Sequence, residues 1–191
     1  MSQQRSNRGV DGNARTRSAQ MDRFIAELQL KMQSANVRTQ GVIDMAPLDL
    51  KELLLDCGRV HLFNKHSMGK KDICTFPRLR TGEAKIVKNV MKVPIVGGTV
   101  QTLSLTHSRS IENGGFIIVS QSVKEQPGET ISNPFCSISI LRPVPNSDKT
   151  ELTNVAQTSS VPIPNFLMRK VGFLGAIDFF KNLRGLSQLN Y

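Results

Sequence analysis

The clearest hydrophobic pattern lies between residues 85 and 141, where short runs of β-branched and apolar residues are separated by turn residues. Gly97–Gly98 separates two such runs, and glycine readily adopts the positive φ angles of a tight hairpin. Asn113–Gly115 and Gln126–Gly128 separate the runs that follow. Short connections between successive strands favour antiparallel pairing. The sequence therefore predicts a mainly β (α+β) fold with an antiparallel β-sandwich or jelly-roll-like core.

The alternation of side chains along these strands predicts which side of each strand is buried. Ser104 and Thr106 share one side of their strand, which we expect to face water. Over residues 135–141 the serines are expected to face water, and every second apolar residue is expected to face the core. The outward pair is Ser137 and Ser139, and the inward set is Cys136, Ile138 and Ile140.

Three helices are predicted around this core. Ser18 is a suitable N-cap for an amphipathic helix over 19–35, whose apolar residues recur at helical spacing. This helix could pack on the sheet or on another subunit. A short second helix is expected near 48–57, with Gly58 as its stop. Asn165 is a suitable cap for a C-terminal helix that reaches about residue 183.

Composition divides the chain into four parts. Residues 1–17 are polar and basic, and we expect a disordered arm. Residues 18–142 hold the helix-plus-antiparallel-β domain. Residues 143–164 are rich in proline, serine and threonine and are predicted to be a linker with a possible short strand at 152–155. Residues 165–191 form the C-terminal amphipathic helix and tail.

The three cysteines are few and odd in number, which favours a reducing compartment without a disulfide framework. The first residues lack the apolar region of a signal peptide, so we expect a protein that is not secreted. No apolar run approaches the ~20 residues that a spanning helix needs.

The formal net charge is +10, and most of the excess of Lys and Arg lies in residues 1–92. A basic excess confined to one half of a chain indicates a polyanionic partner, although solubility alone is the simpler explanation. We expect the arm and the stretch over 59–92 to bind nucleic acid, mainly RNA, by phosphate contacts without base-specific recognition. The predicted nucleic-acid-binding residues are Arg5, Arg8, Arg15, Arg17, Lys65, Lys70, Lys71, Arg78, Arg80, Lys85, Lys88 and Lys92.

The C-terminal helix is apolar on nearly all sides between residues 171 and 180. Cations flank this stretch, so the helix could lie in a membrane interface with its charges toward anionic head groups. It could equally dock on another subunit, or close the core of its own domain. The residues predicted for membrane contact or assembly are Phe173, Leu174, Ile177, Phe179 and Phe180.

No catalytic constellation is recognisable, and we predict that the protein is not an enzyme and needs no cofactor or metal. Cys57, His61, His66 and Cys74 are metal-ligand types, but their spacing matches no zinc motif, and Cys57 also completes an apolar helix stripe. His107 lies near serines without a nucleophile-elbow motif, which favours a structural histidine.

A basic arm before a compact β domain resembles the general plan of small viral capsid or matrix proteins. That resemblance implies a self-assembling, RNA-binding structural protein, located in the virion and host cytoplasm and also at membranes if it is a matrix protein. One alternative is a plant-virus movement protein that binds nucleic acid and membrane. Another is a cellular accessory RNA-binding module.

Overall fold

The structure, a computed structural model, describes residues 37–79, 82–92, 98–124, 135–158 and 165–188. It contains seven strands, which are β1 (Val37–Ile43), β2 (Ser67–Leu79), β3 (Gly82–Lys92), β4 (Thr99–Ser110), β5 (Phe116–Ser122), β6 (Phe135–Pro143) and β7 (Thr150–Thr158). Its helices are α1 (Pro47–Leu55), α2 (Val60–Phe63) and α3 (Asn165–Ser187), and a 3₁₀ turn spans Glu112–Gly114. The arm over 1–17 and the predicted helix over 19–35 lie outside the described residues.

All seven strands pair in one antiparallel sheet with the order β1-β7-β6-β5-β4-β3-β2. Strands β2 to β7 follow one another as a meander, and β1 returns to pair with β7, with Gly41 opposite Leu152. The prediction of a mainly β, α+β fold is confirmed. The predicted sandwich is not what these residues form, because the helices, and not a second sheet, cover one side of the single sheet.

The apolar core lies between one end of the sheet and the helices. Ile43, Ile118, Leu141 and Leu152 supply the sheet side of this core. The helices supply Leu50 and Leu53 from α1, Val60 and Phe63 from α2, and Phe180, Leu183 and Leu186 from α3. We call the side of the sheet that carries Ile118 and Leu152 the helix side, and the opposite side the far side.

The two longer helices begin where local sequence signals place them. Pro47 opens α1 at the first helical positions, where its missing N–H costs nothing, and Asp49 lies in the first turn. The helix ends at Leu55, close to the predicted boundary. Helix α3 begins at Asn165 and continues to Ser187, four residues beyond its predicted end.

Strand β7 lies inside the segment that composition predicted to be a linker. It pairs on both edges, with β1 through Asn154 and Thr39 and with β6 through Asn154 and Ser139. The possible short strand at 152–155 lies within β7, but the threonines and asparagine around it favoured a loop for the rest. An interior strand can nevertheless be polar when the space in front of it is not filled by an apolar core.

Candidate functional site

The helix side of the sheet is polar across its middle. Cross-strand pairs place Thr106 opposite Ser120, and Ser120 opposite Ser137. A neighbouring row runs from Thr39 through Asn154 and Ser139 to the core residue Ile118. Residues that face one another across a ladder share a side of the sheet, so both rows face the same side as α3. Ser104 opposite Ser122 forms a third pair on the same side. We call the polar residues of all three the polar rows, and they consist of Thr39, Ser104, Thr106, Ser120, Ser122, Ser137, Ser139 and Asn154.

Several side chains of the polar rows hydrogen-bond to each other. The hydroxyls of Thr106 and Ser120 lie 3.0 Å apart, and the Asn154 amide donates to Ser139 Oγ over 2.8 Å. Ser104 and Thr106 are buried, whereas Ser120, Ser137 and Ser139 are half-buried. A hydroxyl has one donor and two acceptor positions, so these pairs keep hydrogen-bonding capacity for a further molecule.

This arrangement reverses the side assignment made from the sequence. Ser137 and Ser139 were expected to face water, yet they face the side that the helices cover. Ser104 and Thr106 were also expected to meet water, but they are 7% and 4% exposed. Ile138, expected in the core, is buried on the far side. The alternation was visible in the sequence, but alternation cannot tell which side of a sheet the helices cover.

Helix α3 presents small residues where it passes the polar rows. Its C-terminal half packs Phe180, Leu183 and Leu186 into the core. Gly172, Gly175 and Ala176 precede them on the same side of the helix by their spacing. A Cβ atom at Gly175 would find no atom within 4 Å, while one at Gly172 would lie 3.0 Å from Val37 Cγ2. A side chain at Gly175 would therefore point into open space.

A groove of about 640 Å³ lies between β1 and α3. Its walls consist of Thr39 and Gln40 from β1 and of one side of α3, namely Ala176, Ile177, Phe180, Lys181, Arg184, Gly185 and Gln188. Thr39 belongs both to this groove and to the polar rows, and its hydroxyl lies 3.5 Å from the Asn154 carbonyl oxygen. The groove thus opens beside one end of a polar row.

A charged cluster lies at the other edge of the helix side, below the end of α1. Lys85 Nζ lies 2.8 Å from Asp72 Oδ1 and 2.6 Å from the Leu55 carbonyl oxygen. Lys70 Nζ lies 3.4 Å from the Leu54 carbonyl oxygen, and Cys57 Sγ donates to Asp72 over 3.0 Å.

The protonation of this cluster follows from burial and hydrogen bonding. Burial raises the pKa of the Cys57 thiol, and its hydrogen bond to Asp72 raises it further. Burial lowers the pKa of Lys70. Burial alone would raise the pKa of Asp72, but the hydrogen bonds from Lys85 and Cys57 outweigh this effect. The pKa of Asp72 is therefore below its usual value. A protonated thiol is a poor nucleophile. The bonds from Lys85 and Lys70 to carbonyl groups at the end of α1 indicate that the cluster anchors α1 to the sheet.

The predicted nucleic-acid-binding cations do not form one surface. Lys70 and Lys85 face the helix side, whereas Lys88 and Lys92 lie on the far side by strand alternation. Lys65 is exposed between α2 and β2, and Lys71 is exposed on β2 itself. The remaining predicted cations, Arg5, Arg8, Arg15, Arg17 and Arg80, lie outside the described residues, and only the backbone of Arg78 is described.

The five apolar residues predicted on the C-terminal helix separate into two groups. Phe180 is buried in the core, and Phe179 contacts Phe63 edge-to-face at 5.9 Å between ring centroids. Phe173, Leu174 and Ile177 are 58%, 49% and 46% exposed on the outside of α3. Within the described residues no helix combines the length and apolar character needed to cross a bilayer.

The candidate metal ligands do not converge. Cys57 bonds to Asp72 on the helix side, and Cys74 is exposed on β2. Among the residues that the structure describes, no three His, Cys, Asp or Glu side chains are placed to hold a metal ion. His107 is buried at the far side of β4.

Comparison with solved structures assigns the fold. Human StAR-related lipid transfer protein 5 superposes with a TM-score of 0.73 at 14% identity, covering 91% of this chain and 98% of that chain. A STAR-related lipid transfer protein from Xanthomonas axonopodis gives a TM-score of 0.63 at 13% identity, covering 81% and 88%. Human STARD10 gives 0.66 at 15% identity, covering 80% of this chain and 63% of that chain. The chain thus spans less than two thirds of the STARD10 structure.

The chain has a START-like, helix-grip α+β fold. No protein-family model and no curated protein sequence match it.

These findings overturn the predicted function. The viral matrix or capsid protein, the movement protein and the RNA-binding module were inferred from a basic arm and a β-sandwich. Two of the solved structures that share this fold are StAR-related lipid transfer proteins, and the described cations lie on both sides of the sheet. The predictions of an RNA partner and of a virion location are wrong for the same reason. Self-association is not shown.

Proposed function

We propose that this protein binds a lipid between the helix side of its sheet and α3, and carries it between membranes. The observation that carries the proposal is the groove beside Thr39, which opens next to the polar rows in a fold shared with lipid-transfer proteins. Ligand pockets in proteins commonly hold several hundred Å³, and this groove is of that size.

The proposed activity is binding without a chemical step. The charged cluster at Cys57, Asp72 and Lys85 uses its groups to hold α1. A protein that carries a ligand needs a wall that fits it and an opening to admit it, and the polar rows and the groove supply these.

We further propose that the outside of α3 touches the membrane during exchange. Phe173, Leu174 and Ile177 are exposed there, and Lys181 and Arg184 lie on the same side of the helix. Apolar side chains next to cations fit the boundary between the acyl chains and anionic head groups. Residues of the same helix line the groove beside Thr39. A ligand that leaves the groove would therefore emerge close to the membrane.

The direct test is native mass spectrometry after incubation with vesicles of mixed phospholipids, sterols and fatty acids. We expect a one-to-one lipid adduct. Ala176→Phe would fill part of the groove beside Thr39 and lower the bound fraction about tenfold, because overpacking costs ~1–3 kcal/mol. Gly175→Ala is the matched control, since it adds helix propensity but only one methyl group. A wild-type protein that carries no lipid from any of these classes would refute the proposal.

A further inference from the structure

Lys70 on β2 is a half-buried amine with few partners. Its side chain lies on the helix side of the sheet, and its single hydrogen bond within the described residues is to the Leu54 carbonyl oxygen, at 3.4 Å. No carboxylate forms an ion pair with Lys70 in this part of the chain, and the nearby Asp72 is bonded instead to Lys85 and Cys57. An ammonium group that is withdrawn from water without a paired anion is costly. This position therefore favours the neutral amine.

The groups around Lys70 act in both directions on its pKa, and burial is the strongest influence. Burial lowers the pKa of Lys70, and the charge of Lys85 on the neighbouring strand lowers it further. Cys57, Asp72 and Asp56 act in the opposite direction but do not cancel the effect of burial. A lysine that is withdrawn from water, or that lies next to another cation, becomes a nucleophile near neutral pH.

We propose that Lys70 is a covalent binding site for an aliphatic aldehyde, which it holds as an imine. The amine nitrogen attacks the carbonyl carbon, and the two amine hydrogens leave with the carbonyl oxygen as one molecule of water. The step needs no oxidant or reductant, and water reverses it. Lys70 reaches the end of α1, where Leu54 and Leu55 pack against the core. This apolar end of the helix favours an aldehyde with a hydrocarbon chain over a charged one.

The hydrogen bond between Lys70 and α1 is compatible with this chemistry. A neutral amine can still donate one hydrogen to the Leu54 carbonyl oxygen while its lone pair reacts. The imine nitrogen, once protonated, keeps one N–H for the same carbonyl. Lys85 holds the end of α1 separately through Leu55. Imine formation at Lys70 therefore leaves α1 attached to the sheet.

Competitive labelling of the full chain tests the proposal. The protein is incubated at neutral pH with hexanal and sodium cyanoborohydride, which reduces an imine to a stable secondary amine, and peptide mass spectrometry locates the label. Lys71 is the internal comparison, because it is exposed whereas Lys70 is half-buried. Access alone would therefore favour Lys71. We expect Lys70 to be labelled at least about tenfold faster than Lys71.

Two conservative variants identify the reactive amine. Lys70→Arg keeps the positive charge and a donor for Leu54, but a guanidinium group is no nucleophile, so the fast labelling should disappear. Lys71→Arg is the matched control and should leave the fast labelling unchanged. In wild-type protein unfolded in guanidinium chloride, both lysines should react at similar rates, because both amines are then solvated. In the folded protein, the labelling rate of Lys70 should stop rising at a lower pH than that of Lys71, since only the neutral amine reacts.

Labelling of Lys70 that is no faster than that of Lys71, or a preference that persists in the unfolded chain, would overturn the proposal. Fast acetylation of Lys70 by acetic anhydride without any imine from hexanal would also overturn it, because the amine would then be reactive but closed to aldehydes.

The aldehyde site does not depend on the proposed lipid binding. The residues that line the groove beside Thr39 belong to β1 and α3, whereas Lys70 belongs to β2. Lys70→Arg should therefore still carry a lipid from vesicles in native mass spectrometry. Loss of that lipid adduct in Lys70→Arg would contradict a separate site, and a wild-type protein that is labelled at Lys70 but carries no lipid would refute the lipid proposal alone.

Discussion

The ammonium group of Lys85 on β3 lies 2.6 Å from the carbonyl oxygen of Leu55, the last residue of α1. The final carbonyl groups of a helix have no partner within the helix, and a cation placed there also interacts favourably with the helix dipole. Lys70 approaches the preceding carbonyl of Leu54. The two lysines therefore fix the end of α1 against the sheet.

Replacing Lys85 by methionine should destabilise the protein. Lys85→Met removes the bonds to Leu55 and Asp72 and leaves the Asp72 carboxylate without its nearest cation. Hydrogen bonds to charged groups contribute about 1.5–3 kcal/mol each, so we expect the free energy of unfolding in urea to fall by about 2–3 kcal/mol. Lys92→Met, at an exposed position of the same strand, should change it by less than about 0.5 kcal/mol. Equal effects of the two variants would show that Lys85 does not anchor α1.

Gly82 should tolerate no side chain. Its φ is +129°, and a Cβ atom there would collide with the Ser108 carbonyl oxygen and lie 2.9 Å from the carbonyl carbon. We expect Gly82→Ala to cost about 3 kcal/mol, from backbone strain and overpacking together. Gly98 is the comparison, since its φ is +88° but no atom lies within 4 Å of the Cβ position. Gly98→Ala should cost only about 1 kcal/mol. Thermal or urea unfolding measures both, and similar losses would argue against the close approach of Gly82 to β4.

Acid should destabilise the native state through Asp72 and Asp56. The pKa of Asp72 falls below its ordinary value of 3.8 because the hydrogen bonds from Lys85 and Cys57 outweigh burial. Hydrogen bonds from Arg59 and Gly58 lower the pKa of Asp56. The unfolded chain therefore takes up protons first as the pH falls toward 3.8. The stability that these carboxylates add is complete above that pH and is lost as the pH drops through their folded pKa values.

The variant Asp72→Asn separates the Asp72 contribution from that of Asp56. It should be less stable than the wild type at neutral pH and should lose less stability on acidification, since the variant retains only the Asp56 contribution. Unfolding midpoints measured from neutral pH to well below the ordinary carboxyl pKa of 3.8 test this. Asp148→Asn, in the exposed turn between β6 and β7, serves as the control. An acid dependence in Asp72→Asn as steep as that of the wild type would contradict the assignment.

The elements that the sequence predicted well are those with local signals. The helix predicted near 48–57 forms as α1, Asn165 marks the start of α3, and the Asn113 turn has the positive φ angles that its residues favour. Strand β2 was missed because its pairing with β3 shifts register at three places, between Ser67 and Gly69, Asp72 and Cys74, and Phe76 and Leu79. A bulge shifts the alternation by one residue, so no continuous period-2 pattern remains to be read.

The candidate site was harder to predict than the strands that form it. The serines of β6 and the threonine of β4 were recognised as a polar side, but an exposed polar side and a polar ligand wall have the same alternation. Only the register of β1, β7 and β6 shows that Thr39, Asn154 and Ser139 lie in one row with Ile118. The pairing of Thr39 with Asn154 joins strands that are more than a hundred residues apart in the sequence. Local sequence patterns do not contain information on such pairings.

The outside of α3 yields a prediction about membranes. Phe173 and Ile177 are exposed one turn apart, and burying an apolar side chain contributes about 1.5–3 kcal/mol. We expect the protein to float with vesicles that contain phosphatidylserine, and Phe173→Asp or Ile177→Asp to lower the bound fraction about tenfold. Leu48→Asp is the matched control, because Leu48 is 50% exposed on α1. Flotation that survives both α3 variants, or that Leu48→Asp abolishes equally, would show that α3 is not the membrane-contacting helix. Native mass spectrometry of Phe173→Asp should still detect the bound lipid, since Phe173 does not line the groove beside Thr39, whereas Ile177 does.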